Sequence, residues 1–306
     1  MQAVKPVREP TLLARLPSVR GRYREHASLA ETTWFRVGGV ADILFKPADV
    51  QDLADFMRAK PADVPVTVLG VGSNVIVRDG GIDGVVIRLG RGFTDMDMEG
   101  DMLVVGAACL DVHVAQFAAE QSRAGLEFLV GIPGTMGGAL AMNAGAYGRE
   151  MVDVLVAAEA VSAQGEIRWF DCAELDYRYR HCGLGEGWIF TRARLRSEAG
   201  DKMAVLQAMQ AISDAREASQ PVRARTGGST FRNPTGQKAW ELIDAAGCRG
   251  MMLDGAQVSE KHCNFLINTG TATAQALEQL GDMVRQKVKT HSGIDLEWEI
   301  KRIGKK

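Results

Sequence analysis

Apolar and polar residues along this chain switch several times between a two-residue and a three-to-four-residue period, the signatures of half-buried strands and amphipathic helices. Residues 37–47 read as a glycine turn into a strand, and 50–60 as a short amphipathic helix. Compact β-rich apolar runs follow at 66–69, 84–89 and 102–106. Residues 111–122 read as a helix with Asp111 as its N-cap. Residues 155–170 read as a hairpin turning near Ala163, Gln164, Gly165 and Glu166. Between 188 and 196, Ile189, Thr191, Ala193 and Leu195 alternate with Phe190, Arg192, Arg194 and Arg196, a strand with one face on a core. After a composition shift at 197–201, the pattern predicts helices over 202–219, 238–246 (closed by Gly247) and 273–291 (stopped by Ser292 and Gly293). A loop over 226–234 and a short strand over 265–268 separate them, and alternation over 296–303 ends the chain. The expected fold class is α+β, with a charged, irregular arm over 1–30, a first unit over 31–198 and a second over 201–306.

Composition narrows the function. Lys and Arg total 36 against 38 Asp and Glu, a formal net charge of −2. That balance argues against a general nucleic-acid binder, which carries a basic excess. Five cysteines, an odd number without CxxC spacing, argue against a disulfide framework or a zinc site, and no metal is expected. No apolar segment follows Lys5 and Arg8 as a secretory signal would require, so the expected location is the reducing cytoplasm. Residues 128–148 carry no charge and are long enough to span a bilayer. They also hold six glycines, Pro133 and Asn143, a composition for a buried glycine-rich loop and helix start rather than membrane insertion.

Two glycine-rich segments carry the first hint of chemistry. Gly70, Val71, Gly72, Ser73 and Asn74 follow an apolar strand, where glycines let backbone N–H groups approach a phosphate; on this piece alone a plain tight turn is an equal reading. Neither GxGxxG nor a Walker A loop is present. In the second segment, Gly131, Pro133, Gly134, Thr135, Gly137 and Gly138 lead into residues 139–142. These can begin a helix whose first amides would face an anion. Asn143, Ala144 and Gly145 add an amide side chain and backbone donors. Two uncharged loops without a nearby lysine suit a diphosphate held by backbone amides; close helix packing is the alternative.

The ordered series TWFRVGG (33–39), VLGVGSN (68–74), GIPGTMGGALAMNAGAYG (131–148), Tyr179-Arg180-His181, GSTFRNP (228–234) and LEWEIKRIG (296–304) resembles the bacterial UDP-N-acetylenolpyruvoylglucosamine reductases, flavoenzymes of peptidoglycan precursor synthesis. The resemblance runs from about residue 30 to 304. It implies a two-part FAD-binding unit of the vanillyl-alcohol-oxidase (PCMH) type and a C-terminal α+β substrate domain. The short connection from Trp188 to Lys202 resembles the shorter, type II subclass. FAD would be noncovalent, in keeping with the lack of His or Cys over 66–90, with NADPH as reductant. The cofactor-binding residues implied are Arg36, the 70–74 loop, Gly131, Pro133, Gly134, Thr135, Gly137, Gly138, Asn143, Ala144 and Gly145.

The implied reaction reduces an enolpyruvyl ether on a UDP-sugar to a lactyl ether. Hydride reaches the terminal alkene carbon, and negative charge spreads from its neighbour into the carboxylate as an enolate. The protein must stabilise that charge and supply one proton. The resemblance assigns the proton to Ser229, which without the motif reads as an ordinary loop serine. It assigns the enolate to Arg180, whose guanidinium fork suits a carboxylate, although spacing alone leaves a solvated strand arginine open. It places Glu299 beside Arg180, possibly as a protonated acid, where alternation alone says solvent face. Substrate contacts are expected from Tyr179, Arg232, Asn233, His262 and Asn264. Two positions depart from the family pattern: Cys182 replaces a serine, and Trp298 a proline. Another FAD oxidoreductase of the same scaffold, acting on an alcohol or hydroxy acid, would keep the glycine loops without needing Ser229, Arg180 and Glu299 together. A non-catalytic nucleotide-binding protein would find its only foothold in Cys182.

Overall fold

A computed structural model describes residues 10–306; the reading of residues 1–9 falls outside them. The first sheet has the order Arg22–Ser28, Val40–Lys46, Ile82–Ile87, Val66–Val68. Its first strand corrects the expectation of an irregular arm up to residue 30: it pairs antiparallel from Arg22 opposite Lys46 to Ser28 opposite Val40. Only Ala27 within it is buried. An edge strand that turns its charges to solvent has no alternation to read. Helix Val50–Ala59 starts at Asp49, whose carboxylate accepts from the Asp52 N–H at 2.9 Å. It buries Leu53, Phe56 and Met57 against Ile43, Phe45 and Val85 of the sheet.

The second sheet is antiparallel, in the order Ile167–Asp171, Leu155–Val161, Ile189–Arg196, Met102–Gly106, Met96–Glu99. The hairpin turns at Ser162 to Glu166, as its glycine predicted. Helix Asp111–Glu120 covers this sheet, but Asp111 does not cap it: Leu110 holds the cap position, and Asp111 is the first helical residue. The uncharged stretch becomes a 3-10 turn, Glu127–Gly131, and a short helix, Met136–Leu140. No described helix is long and apolar enough to cross a membrane. Helix Lys202–Ser219, expected at the head of the C-terminal unit over 201–306, buries Val205 and Met209 in the core beneath the second sheet, with Phe128, Leu129 and Leu140. The composition shift before it marks a turn, not a change of core.

The third sheet runs Arg225–Thr226, Leu266–Asn268, Ala256–Val258, Met252–Leu253, backed by helices Ala239–Ala245 and Ala274–Ser292. Its core includes Phe35, Val37 and Ile76 from the first unit beside Leu277, Leu280 and Ile300. The first and third units therefore share one apolar cluster. The Asp79 carboxylate adds to the joint by accepting from the Ala274 and Gln275 N–H groups, each at 3.0 Å. The chain closes on the first unit, where strand Lys301–Ile303 pairs parallel with Val75–Val77.

The single strand expected over 296–303 is thus confined to its last residues. Upstream, Trp298 makes one isolated bridge to Phe231. Its indole packs 5.1 Å from the Phe231 ring, carries the Arg302 guanidinium 4.5 Å above its face and donates to Asp282 Oδ1 at 3.2 Å. A proline ring offers none of these contacts. Gly281 makes room for the indole, because a Cβ there would lie 2.2 Å from the ring. Exposed helical Gly→Ala changes usually stabilise by about 1 kcal/mol. At this position the sign should reverse, with Gly281→Ala costing about 1–3 kcal/mol through overpacking. Urea unfolding checks it, and a gain in stability contradicts this packing.

Candidate active site

Strand Val66–Val68 delivers the chain into the first glycine loop, and Val75–Val77 takes it away. Gly72 has φ +69°, and a Cβ on it would meet the Thr32 carbonyl at 2.8 Å. The backbone N–H groups of Gly70, Val71, Gly72, Ser73 and Asn74 find no acceptor among the described residues. Successive unpaired amides make an anion-binding nest. They line a cavity of about 960 Å³.

The second loop forms the facing wall through Gly131, Pro133, Gly134, Thr135, Gly137, Gly138, Ala144 and Gly145. Its helix begins three residues earlier than the sequence suggested, and its first amides are not free. Met136 donates to the Cys109 carbonyl at 2.9 Å and Gly137 to the Ala107 carbonyl at 2.8 Å. Gly137 lets the helix close on Ala107, whose Cβ would lie 3.1 Å from an added Cβ. This loop is pinned to the sheet, and the donor row belongs to the first loop.

Arg180, Glu299 and Ser229 reach the same cavity from three separate parts of the chain. Arg178 and His181 exchange backbone hydrogen bonds, each 3.0 Å long, which leaves Arg180 at the tip of a tight turn with φ +54°. A left-handed arginine is uncommon and costs backbone strain. Three of its five N–H donors are held: Nε donates to Glu299 Oε1 at 3.2 Å, Nη1 to Glu150 Oε1 at 3.3 Å and Nη2 to the Gly145 carbonyl at 2.9 Å. Burial raises the Glu299 carboxyl above its ordinary value, while the Arg180 charge and hydrogen bond pull the other way. Glu299 therefore faces the cavity rather than solvent. Its backbone N–H donates to the Thr230 carbonyl at 2.9 Å. Asn74 Nδ2 donates to the Glu299 carbonyl at 3.4 Å, and Lys301 to the Asn74 carbonyl at 3.1 Å.

Other sequence-predicted residues stand elsewhere. Arg36 is exposed and donates to the Glu31 carbonyl at 2.6 Å, outside the cavity wall. Asn143, fully buried, holds Glu150 Oε2 (2.8 Å), the Arg178 carbonyl (3.2 Å) and the Val152 N–H (2.9 Å), so its amide braces the turn that carries Arg180. Asn264 is likewise spent on Phe231, accepting from its N–H at 3.0 Å and donating to its carbonyl at 2.9 Å. Asn233 caps the Ala239 N–H at 3.0 Å. His262 packs 4.8 Å from Phe265, accepts from the Asn264 N–H at 3.3 Å and is held neutral by burial. Tyr179 is exposed, stacked 4.8 Å from the Arg180 guanidinium. Arg232 lines a smaller adjoining cavity of about 280 Å³ with Arg78, Lys301 and Arg302. Cys182 is half-buried against the second core, and burial raises its thiol pKa, which leaves no reactive thiolate.

Sequence reasoning missed Glu150, which shares Arg180, and the cavity residues Trp34, Tyr147, Trp188 and Arg216. Trp34 and Tyr147 lie inside quoted motifs without having been given a role, and Glu150, Trp188 and Arg216 lie in none. It also missed two buried polar groups in the cavity wall without a partner among the described residues, the Asp111 carboxyl and Thr226 Oγ1. A row of free amides and unpartnered polar atoms in the wall of one large cavity fit a dinucleotide such as FAD.

Comparison with known proteins agrees. Residues 220–303 match the model of the UDP-N-acetylenolpyruvoylglucosamine reductase C-terminal domain, and residues 41–171 an FAD binding domain. A UDP-N-acetylenolpyruvoylglucosamine reductase of Rhodospirillum rubrum is 58% identical over 304 residues, covering 97% of this chain and 95% of the relative. The chain belongs to the UDP-N-acetylenolpyruvoylglucosamine reductase family. A second reductase, from Parvibaculum lavamentivorans, is 57% identical over 96% of this chain and 94% of its own length. The reductase crystal structure from Thermus caldophilus superposes with a TM-score of 0.82 at 34% identity, covering 94% of this chain and all of that one. The FAD-binding fold and the C-terminal reductase domain follow from this membership.

The site makes one point of difference measurable. Asn264→Ala removes two buried hydrogen bonds at the root of the Ser229 loop and should cost about 2–4 kcal/mol in urea unfolding. A variant of unchanged stability with a raised substrate KM would instead make Asn264 a substrate contact.

Proposed function

We propose that this chain reduces the enolpyruvyl ether of UDP-N-acetylglucosamine to UDP-N-acetylmuramate in the cytoplasm, with NADPH as the electron source. The observation that carries the reading is convergence on one cavity: the free amides of residues 70–74 on one wall, and Ser229, Arg180 and Glu299 on another. Bound FAD supplies the hydride relay between NADPH and the alkene.

The protein's part is to bind, orient and move one proton. The amides of residues 70–74 hold the FAD diphosphate. Arg180 and Glu299 grip the substrate carboxylate, where negative charge grows as hydride arrives at the terminal carbon. Because Glu150 and the Gly145 carbonyl already fix the guanidinium, little reorganisation is needed as charge develops, which is the condition for electrostatic stabilisation. Ser229 gives its hydroxyl proton to the carbon next to the carboxylate. Gly228, at φ +78°, and Thr230 hold the serine, the latter through its N–H to the Asn264 carbonyl at 2.7 Å. Arg232, in the cation-rich adjoining cavity, meets the anionic sugar nucleotide. Arg36, Tyr179, Asn233 and His262 are left out of these roles because their contacts lie elsewhere.

The test is an anaerobic visible spectrum. NADPH should bleach the yellow protein, and the enolpyruvyl sugar nucleotide should restore the colour. Ser229→Ala should bleach normally but recover more slowly by roughly 10²–10⁴-fold, the usual worth of a positioned general acid. A wild-type protein that bleaches yet ignores the sugar nucleotide overturns the substrate assignment. A Ser229→Ala variant that recovers at the wild-type rate overturns the proton donor.

A further inference from the structure

Asp111 has no part in the chemistry above, yet its placement calls for an explanation. It is wholly buried in the first turn of helix Asp111–Glu120, in the wall of the main cavity. Neither carboxyl oxygen has a hydrogen-bond partner among the described residues. A Cβ added to Gly134 would lie 3.0 Å from Asp111 Oδ2 and 3.7 Å from Ser73 Oγ. The carboxyl therefore marks the seam where the two glycine loops meet. The seam is fixed in register, since the Asp111 N–H donates to the Gly134 carbonyl at 3.1 Å and Leu110 bridges Thr135.

A buried polar group with no partner is destabilising, and native proteins seldom carry one without a ligand, an ion or a water to satisfy it. Desolvation pushes this carboxyl well above its ordinary value, the direction that favours the acid form, which is a donor. That matters beside a diphosphate, whose oxygens only accept: a carboxylate would repel it, whereas a carboxylic acid hydrogen-bonds to it. An apolar side chain would fill a buried place without leaving a polar group bare. We infer that Asp111 is a further cofactor-binding residue, its carboxylic acid donating a hydrogen bond to a phosphate oxygen of FAD at the seam of the two glycine loops. This rests on FAD lying between those loops.

The test compares wild type, Asp111→Leu and Asp111→Asn by three readouts independent of turnover. These are the FAD dissociation constant from quenching of flavin fluorescence, the melting temperature of the apoprotein, and the ³¹P NMR spectrum of bound FAD. Asp111→Leu should weaken FAD binding about tenfold, the effect of one lost hydrogen bond to a charged acceptor, while the apoprotein melts higher. Asp111→Asn keeps an N–H donor and should bind within about threefold of wild type, but with displaced diphosphate resonances. Asp111→Leu binding FAD as tightly as wild type overturns the inference and leaves a buried water as the carboxyl's partner. If Asp111→Leu does not fold, the Asp111→Asn spectrum decides, and unmoved ³¹P resonances overturn the inference. Wild-type protein that takes up no FAD overturns the flavoenzyme assignment along with it.

Discussion

One buried contact, between Arg180 and Glu299, ties the molecule together. Arg180 belongs to the second unit and Glu299 to the segment that leads back from the third into the first. Their contact, 3.2 Å long with both side chains largely buried, is where all three units meet. A buried guanidinium is costly unless its donors are met. Glu150 and the Gly145 carbonyl take two further N–H groups of the guanidinium, and Asn143 in turn holds Glu150 in place. The left-handed turn at Arg180 is the local cost of aiming the guanidinium inward. An arginine so held cannot rotate away when a substrate carboxylate arrives.

The cofactor half of the site rests on backbone rather than side chains. The first glycine loop lies between a strand of the first sheet and the strand that receives the chain's last segment. Its amides stay unpaired because their neighbours are anchored on both sides. The second loop has the opposite character, with amides consumed by Ala107 and Cys109. It supplies a smooth glycine surface and closes the cavity. In the first loop, fixed peptide dipoles already set by the fold offer an anion its donors.

Much of the fold was legible in the sequence where side chains report burial. The helices over Val50–Ala59, Lys202–Ser219 and Ala274–Ser292 and the hairpin from Leu155 to Asp171 follow periodicity. Arg22–Ser28 was not legible, because an edge strand with outward charges has no alternation. Residues 296–300 were legible in the wrong sense. Their alternation is real, but the side of Glu299 faces a cavity between units, which a local pattern reads as solvent. Ser229, Arg180 and Glu299 line one cavity, and their grouping was legible only in motif order, which carries long-range information that periodicity lacks. Asn143, inside a quoted motif, and Asn264, outside them, engage their amides with the backbone beside the Arg180 turn and the Ser229 loop. Proximity in sequence to a functional residue marks support as readily as contact.

The central claim is that the buried Glu299, paired with Arg180, serves the step in which charge reaches the substrate carboxyl, and serves it as a protonated acid. Stopped-flow flavin re-oxidation by the enolpyruvyl sugar nucleotide, measured against pH alongside reduction by NADPH, tests it most directly. Because burial raises the Glu299 pKa, the re-oxidation rate should hold above the usual glutamate range and fall as pH rises through that raised value. Reduction should lack this limb, and Glu299→Gln should abolish it. A limb shared by both half-reactions, or one that survives in Glu299→Gln, would contradict the account.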